Sequence, residues 1–302
     1  MDSPKTKIIF IVNPISGARR RPFWRNIINN FIDKKKFDYK IELTKYAGHA
    51  KIIAAQAVKN GVDVVVAVGG DGTINEVGSQ LIGSNTALGI IPLGSGNGLA
   101  RHLGIPRILP LAIRLINQMI VTKIDTAEIN GVHFISIAGV GFDALVAKLF
   151  AKSSNRGFLT YARIVANRFA KYKPKKYVIK TKEGEKIKTK AFFISFANSN
   201  QFGFNTAIAP NASLKDGFID ICIVKKPNFF ELPIVANLLM LRLIDKSPLV
   251  RIIKSTEFTV KQKKNRKVNI DGEAVKISKK LHVKVNPLSL KIIVPTKYGK
   301  KQ

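Results

Sequence analysis

The first 125 residues repeat one pattern: a short apolar run, a turn rich in glycine, proline or small polar residues, then a stretch of helical period. The apolar runs lie at 7–12, 39–43, 62–68 and 87–92. Apolar residues at 23, 24, 27, 28, 31 and 32 mark one helical face, and further helical stretches lie at 50–58 and 74–82. Strands that alternate with helices return the chain to the same end of a sheet, so this region predicts an α/β domain with a parallel, doubly wound sheet. Such sheets bind ligands at the carboxyl ends of their strands, which is where the glycine-bearing turns of this chain fall.

After residue 125 the pattern changes. Strand-like runs at 132–138, 176–181, 191–197, 219–224, 257–260, 268–270 and 281–285 are separated by turn signals and predict a mainly antiparallel β-sandwich or a barrel, interrupted by helical segments at 144–171 and 229–244. At roughly 150 residues per domain, the 302 residues divide into an α/β domain at 1–125 and a β-rich domain at 126–286.

Composition narrows the chemistry. Cys222 is the single cysteine, so there is no intrachain disulfide framework, and the four histidines at 49, 102, 133 and 282 have no metal-ligand spacing. The N-terminal apolar stretch reads as a strand and not as a signal peptide, and the apolar stretch at 232–241 is shorter than a bilayer-spanning helix. A soluble or peripheral chain in a reducing cytosol is expected. The net charge of +32 attracts nucleic acid, anionic lipid surfaces and nucleotide phosphates alike. Its 38 lysines against 13 arginines disfavour planar bidentate readout, and no zinc pattern, aromatic RNA-binding strand or basic reading helix is present, so no nucleic acid partner is expected.

Three turns in the first domain carry most of the information. Asn13-Pro14-Ile15-Ser16-Gly17 follows the first strand and reads by itself first as an ordinary strand-to-helix turn and only second as an anion-facing loop. Gly69-Gly70-Asp71-Gly72-Thr73-Ile74-Asn75-Glu76 lies between an apolar strand and a helix, and its three glycines let backbone amides approach phosphates at a helix N-terminus. Asp71 adds a carboxylate suited to a magnesium ion or a proton beside those phosphates. Gly94-Ser95-Gly96-Asn97-Gly98 is a second small-residue loop after a strand. None of these is a Walker A loop or a dinucleotide fingerprint.

Taken together and in this order, NPISG, GGDGTINEV and PLGSGNGLAR resemble the diacylglycerol kinase catalytic-domain family, which includes bacterial lipid kinases and sphingosine kinases. The resemblance continues through Thr44 with Gly48-His49-Ala50, Ala138–Ala144 (AGVGFDA), 214–218 (LKDGF) and Ile270-Asp271-Gly272-Glu273, and so covers nearly the whole chain. Where many bacterial members have Thr-Gly-Asn-Asp, this chain has Ser95-Gly96-Asn97-Gly98. Lys215 stands before Asp216, where a polar or acidic residue is usual.

The resemblance implies an NAD kinase/phosphofructokinase-like first domain, to which 287–302 returns, and an active site in a cleft between the domains. It implies ATP contacts at Asn13, Pro14, Ser16, Gly17, Thr44, Gly69, Gly70, Asp71, Gly72, Thr73, Asn75, Gly94, Ser95 and Asn97. Glu273 is implied as the proton acceptor, with Asp71 and Asp271 beside it, and a structural Mg2+ at Asp216 with the carbonyls of Ser213 and Phe218. The expected reaction is γ-phosphoryl transfer to a lipid hydroxyl, diacylglycerol first and a sphingoid base as rival, with an NAD kinase-like enzyme as alternative. The apolar segment 229–244 with Arg242, Lys246, Arg251 and Lys254 around it reads either as a core helix or as a helix lying in a membrane interface. The lipid substrate and the charge favour reversible attachment to the anionic inner membrane face. A homodimer is left open.

Overall fold

The apolar runs of the first 125 residues become strands, and the computed structural model describes residues 4–17, 24–153, 157–203, 206–264 and 266–299. The expected helix start at Phe23, residues 154–156 inside an expected helix, and Asn265 in a basic run lie outside the described residues. The chain divides into two units, Met1–Ile124 with Leu288–Gln302 and Asp125–Pro287.

In unit 1, β1 (Thr6–Val12), β2 (Phe37–Leu43), β3 (Val64–Gly69) and β4 (Ala87–Pro92) alternate with α1 (Trp24–Phe31), α2 (His49–Lys59) and α3 (Asp71–Leu81), followed by α4 (Gly98–His102) and α5 (Leu109–Gln118). The strand order is β2-β1-β3-β4, all parallel, and Ile292 of the returning C-terminal segment pairs with Leu88 in parallel. Every residue of β3 and β4 is buried, which is why these runs are apolar without alternation. Helix α5, unannounced by the sequence reading, packs Leu109, Ala112, Ile113 and Ile116 into the same core as Ile28 of α1. Its Asn117 closes the end of α1, donating Nδ2 to the Phe31 carbonyl at 2.8 Å.

Unit 2 begins within β5 (Val121–Ile129). There follow β6 (Val132–Phe134), β7 (Ile137–Gly141), α6 (Phe142–Ala151), α7 (Phe158–Phe169), β8 (Lys175–Thr181), β9 (Lys186–Ala191), β10 (Phe193–Ala197), the short β11 (Gln201–Gly203) and β12 (Thr206–Ala207), and β13 (Ile219–Val224). After α8 (Glu231–Met240) come β14 (Val250–Ser255), β15 (Glu257–Gln262), β16 (Arg266–Ile270), β17 (Glu273–Ile277) and β18 (Lys280–Ile293), and α9 (Thr296–Gly299) ends the described chain. One sheet, β14-β13-β10-β7-β16-β17, is antiparallel throughout. It shares a core with antiparallel β18-β15-β8-β9, where Phe196, Ile221 and Val268 meet Tyr177, Phe258 and Val283. This is the expected sandwich.

Three expectations change in detail. The expected helix 144–171 is two helices, α6 and α7, because Gly157 takes a φ of +119° at the start of the second. The segment 229–244 forms α8 only to Met240, with a 3-10 turn at Ile244–Lys246. The run 132–138 breaks into β6 and β7, and the break is held by a side chain described below.

Candidate functional site

The loop after β3 is the sharpest feature of unit 1: Gly70 is the only residue between the strand and α3, so the first amides of α3 point out from the carboxyl edge of the sheet. Gly69 admits no side chain, since a Cβ there would lie 2.5 Å from Thr73 Oγ1. Asn13 donates Nδ2 to the same Thr73 Oγ1 at 3.2 Å, which ties the first loop to the second. Gly94 would bring a Cβ within 2.6 Å of Gly70 Cα, so the second and third loops touch backbone to backbone.

Asp71 locks this contact. Its Oδ2 accepts the Asn97 amide and its Oδ1 the Gly98 amide, both at 2.8 Å. Asn97 is fully buried in the left-handed region (φ 53°), and its side chain bonds both the N–H and the carbonyl of Gly94. Arg101 donates Nε to the Gly96 carbonyl at 2.8 Å. Burial and the neighbouring Arg107 lower the Arg101 pKa, with Asp71 opposing. Ser95 stays exposed at the tip of the loop.

The expected contacts Asn13, Pro14, Ser16, Gly17 and Gly94 line one cavity of about 420 Å3, to which Arg107 adds an unforeseen cation. Thr44 donates its amide to the Val12 carbonyl at 2.9 Å and so sits beside the first loop. Glu76, given no role of its own by the motif, accepts the amides of Gly48 at 2.9 Å and Ala50 at 3.2 Å and fastens the Gly48-His49-Ala50 turn to α3. Its place one turn after Thr73 was the available signal.

The acidic turn of unit 2 joins β16 to β17. Asp271 stands in the left-handed region (φ 45°) and its carboxylate accepts three consecutive amides, Ile135 at 2.7 Å, Ser136 at 2.9 Å and Ile137 at 2.8 Å. This clamp separates β6 from β7 and makes Asp271 a holder of the turn. Glu273 opens β17 with an exposed side chain. Asn269 completes the support: its Oδ1 accepts the Gly272 amide at 2.9 Å and its Nδ2 donates to Asp143 Oδ2 at 2.8 Å. Burial pushes the Asp143 carboxyl up to about 6, against the Asn269 hydrogen bond. Gly139 is required beside it, because a Cβ would lie 2.6 Å from Asp143 Oδ2.

The third expected site carries a cation of the protein's own. Ser213, Asp216 and Phe218 do form one turn, in which Asp216 Oδ1 accepts the Phe218 amide at 3.2 Å and Ser213 Oγ the Lys215 amide at 3.2 Å. Asp216 Oδ2, however, lies 2.6 Å from the Lys254 ammonium, which β14 brings opposite Asp220. Burial pulls the Lys254 pKa down, but Asp216 and Asp220 outweigh it, so the ammonium keeps its charge. Lys254 thus serves both Asp216 and Asp220 as counterion, and no group of three acidic, histidine or cysteine side chains suited to a metal occurs among the described residues.

Residues 7–129 match the model of the diacylglycerol kinase catalytic domain, and residues 136–294 that of the YegS C-terminal NAD kinase beta sandwich-like domain. The chain is similar to the diacylglycerol kinase of Bacillus subtilis (31% identical over 270 residues, 87% of this chain and 88% of that one). It is also similar to that of Staphylococcus saprophyticus (29% over 279 residues, 87% of each). In fold it is similar to a diacylglycerol kinase from Bacillus anthracis (TM-score 0.76, 21% identity, 98% of this chain and 99% of that one). An NAD kinase from Archaeoglobus fulgidus in complex with ATP shares the fold more distantly (TM-score 0.54, 11% identity, 97% and 96%). With its glycine loops locked at the carboxyl edge of a parallel sheet and its acidic turn held in a β-sandwich, the chain belongs to the diacylglycerol kinase catalytic-domain family of kinases.

Proposed function

We propose that this kinase transfers the γ-phosphoryl group of ATP to a primary lipid hydroxyl, with diacylglycerol as acceptor and phosphatidic acid as product. The observation that carries the reading is the loop after β3, a helix N-terminus stripped of side chains at Gly69, Gly70 and Gly72 and buttressed by the first and third loops. Phosphoryl transfer asks the protein for positioning and charge neutralisation, and this loop supplies both through backbone amides. The names of the relatives support the choice of acceptor.

In this mechanism Asp71 and Asn97 keep the amides in place, and the positive end of α3 offsets the charge of the phosphate chain. Asp71, whose oxygens retain acceptor capacity beyond the two amides, is the residue that would meet a magnesium ion accompanying the nucleotide, an ion that neutralises phosphate charge during transfer. Glu273 takes the proton of the acceptor hydroxyl while its oxygen bonds to the γ-phosphorus and the bond to the β-phosphate oxygen of the departing ADP breaks. Asp271 keeps Glu273 presented and takes no proton.

The test is label transfer from γ-labelled ATP to a panel of diacylglycerol, monoacylglycerol, sphingosine, undecaprenol and NAD in mixed micelles. Label is expected in phosphatidic acid, and far less of it with Asp71→Asn. Label in sphingosine or NAD with diacylglycerol left unlabelled would overturn the choice of acceptor.

A further inference from the structure

Helix α8 is the most apolar helix of unit 2, and none of its residues is buried. Its inner face, Val235, Leu238 and Leu239, packs on a core that includes Cys222 and Val224 of β13. A second, solvent-facing side is also apolar. Phe230, Ile234 and Leu241, at helical spacing, are 84%, 60% and 66% exposed, and Phe229 and Met240 beside them are 78% and 64% exposed. An apolar stripe facing solvent on a helix already packed on its other side is a binding surface in want of an occupant.

The two phenylalanines are held there. Asn228 and Glu231 bond reciprocally, the Glu231 amide to Asn228 Oδ1 at 2.9 Å and the Asn228 amide to Glu231 Oε2 at 2.7 Å, closing the turn around them. The rings meet edge to face at 5.8 Å. Just upstream, Lys226 donates its ammonium to the carbonyls of Ala170 at 3.1 Å and Tyr172 at 3.0 Å, which fixes the end of α7 beside the start of α8. The basic run after α7, with Lys171 and Lys173 exposed, is thereby tied to the segment that leads into the aromatic pair. Segments 168–176 and 225–246 together carry nine lysines and arginines against two acids, Glu231 and Asp245.

We infer that the outer face of α8, tipped by Phe229 and Phe230 and collared by these cations, docks on an anionic lipid bilayer. Aromatic and aliphatic side chains enter the headgroup boundary while the cations meet lipid phosphates. A second copy of the chain is the poorer occupant, because a symmetric contact would bring the same positive collar against itself. This surface is independent of which acceptor the kinase takes.

The experiment is sedimentation of the full chain with vesicles of phosphatidylglycerol or of phosphatidylcholine, without nucleotide or diacylglycerol, so that its outcome is separate from catalysis. Binding is expected to phosphatidylglycerol, falling with salt, and the exposed pair Phe229→Ser/Phe230→Ser is expected to lower the partition coefficient at least about tenfold with the melting temperature unchanged. In a second readout, Phe230→Cys carrying an environment-sensitive dye should shift to the blue on phosphatidylglycerol vesicles, the one other thiol, Cys222, being buried. Equal binding by the double variant, equal binding to neutral vesicles, or a dimer abolished by the double substitution with no vesicle binding would each overturn the proposal.

Discussion

Each unit has an aspartate whose carboxylate is turned onto backbone amides, and the two differ in what they leave on display. Asp71 grips the amides of Asn97 and Gly98, so that loops from the neighbouring strands β3 and β4 become one surface. What that surface offers is more amides. Asp271 grips three amides at 135–137, and what its turn offers is a second acid, Glu273. An acidic residue in a glycine-rich motif can therefore be engaged by backbone amides. In unit 1 the acid arranges the donors, and in unit 2 it arranges another acid.

The largest expected effect comes from unit 1. Asp71→Asn places an amide where two N–H groups need acceptors, so turnover should fall on the order of 10²–10³-fold, the scale seen when preorganised donors are lost. Steady-state kinetics checks this, and near-normal turnover would remove Asp71 from the account.

Unit 2 has a pH signature of its own. Asp143, raised to about 6 by burial, binds a proton in the folded chain that the unfolded chain releases near pH 4. The folded state holds the extra proton between these values, so this group's contribution makes stability fall as pH rises from about 4 to 6 and level off above. Asp143→Asn should match the wild type near pH 4 and exceed it by about 2–3 kcal/mol above pH 6. Urea unfolding across that range measures it, and a constant difference between the two proteins would contradict the burial argument. Asp220, raised to about 6 chiefly by burial, titrates in both proteins and drops out of the comparison.

The smallest effect separates Asp216 from a metal site. With Lys254 as its counterion, the melting temperature of the nucleotide-free protein should move by less than about 1 °C on adding magnesium or a chelator. A clear loss of stability with the chelator would place a magnesium ion at this turn.

How much of this the sequence makes legible follows from how far apart the partners lie. The strands of unit 1 declare themselves because β3 and β4 are buried on both faces, and their loops because glycine clusters at strand ends are rare without a backbone reason. The roles of Asp71 and Asp271 do not, because the amides they hold are 26 to 136 residues away in sequence. The same holds for Lys254, which reaches Asp216 only through the pairing of β13 with β14. The apolar character of 229–244 is plain in the residues, but which face of α8 meets the core is decided by β13 and remains hidden until the sandwich is built.

The central claim is that Glu273 carries the chemistry of its turn and Asp271 the architecture. Labelled phosphoryl transfer to diacylglycerol, measured beside melting temperature for Glu273→Gln and Asp271→Asn, tests it directly. Glu273→Gln should lose about 10²–10⁴-fold in kcat with KM for ATP and melting temperature unchanged. Asp271→Asn should lower stability by about 2–3 kcal/mol and keep its activity per folded molecule far better. Normal turnover in Glu273→Gln, or a dead but fully stable Asp271→Asn, would contradict the account.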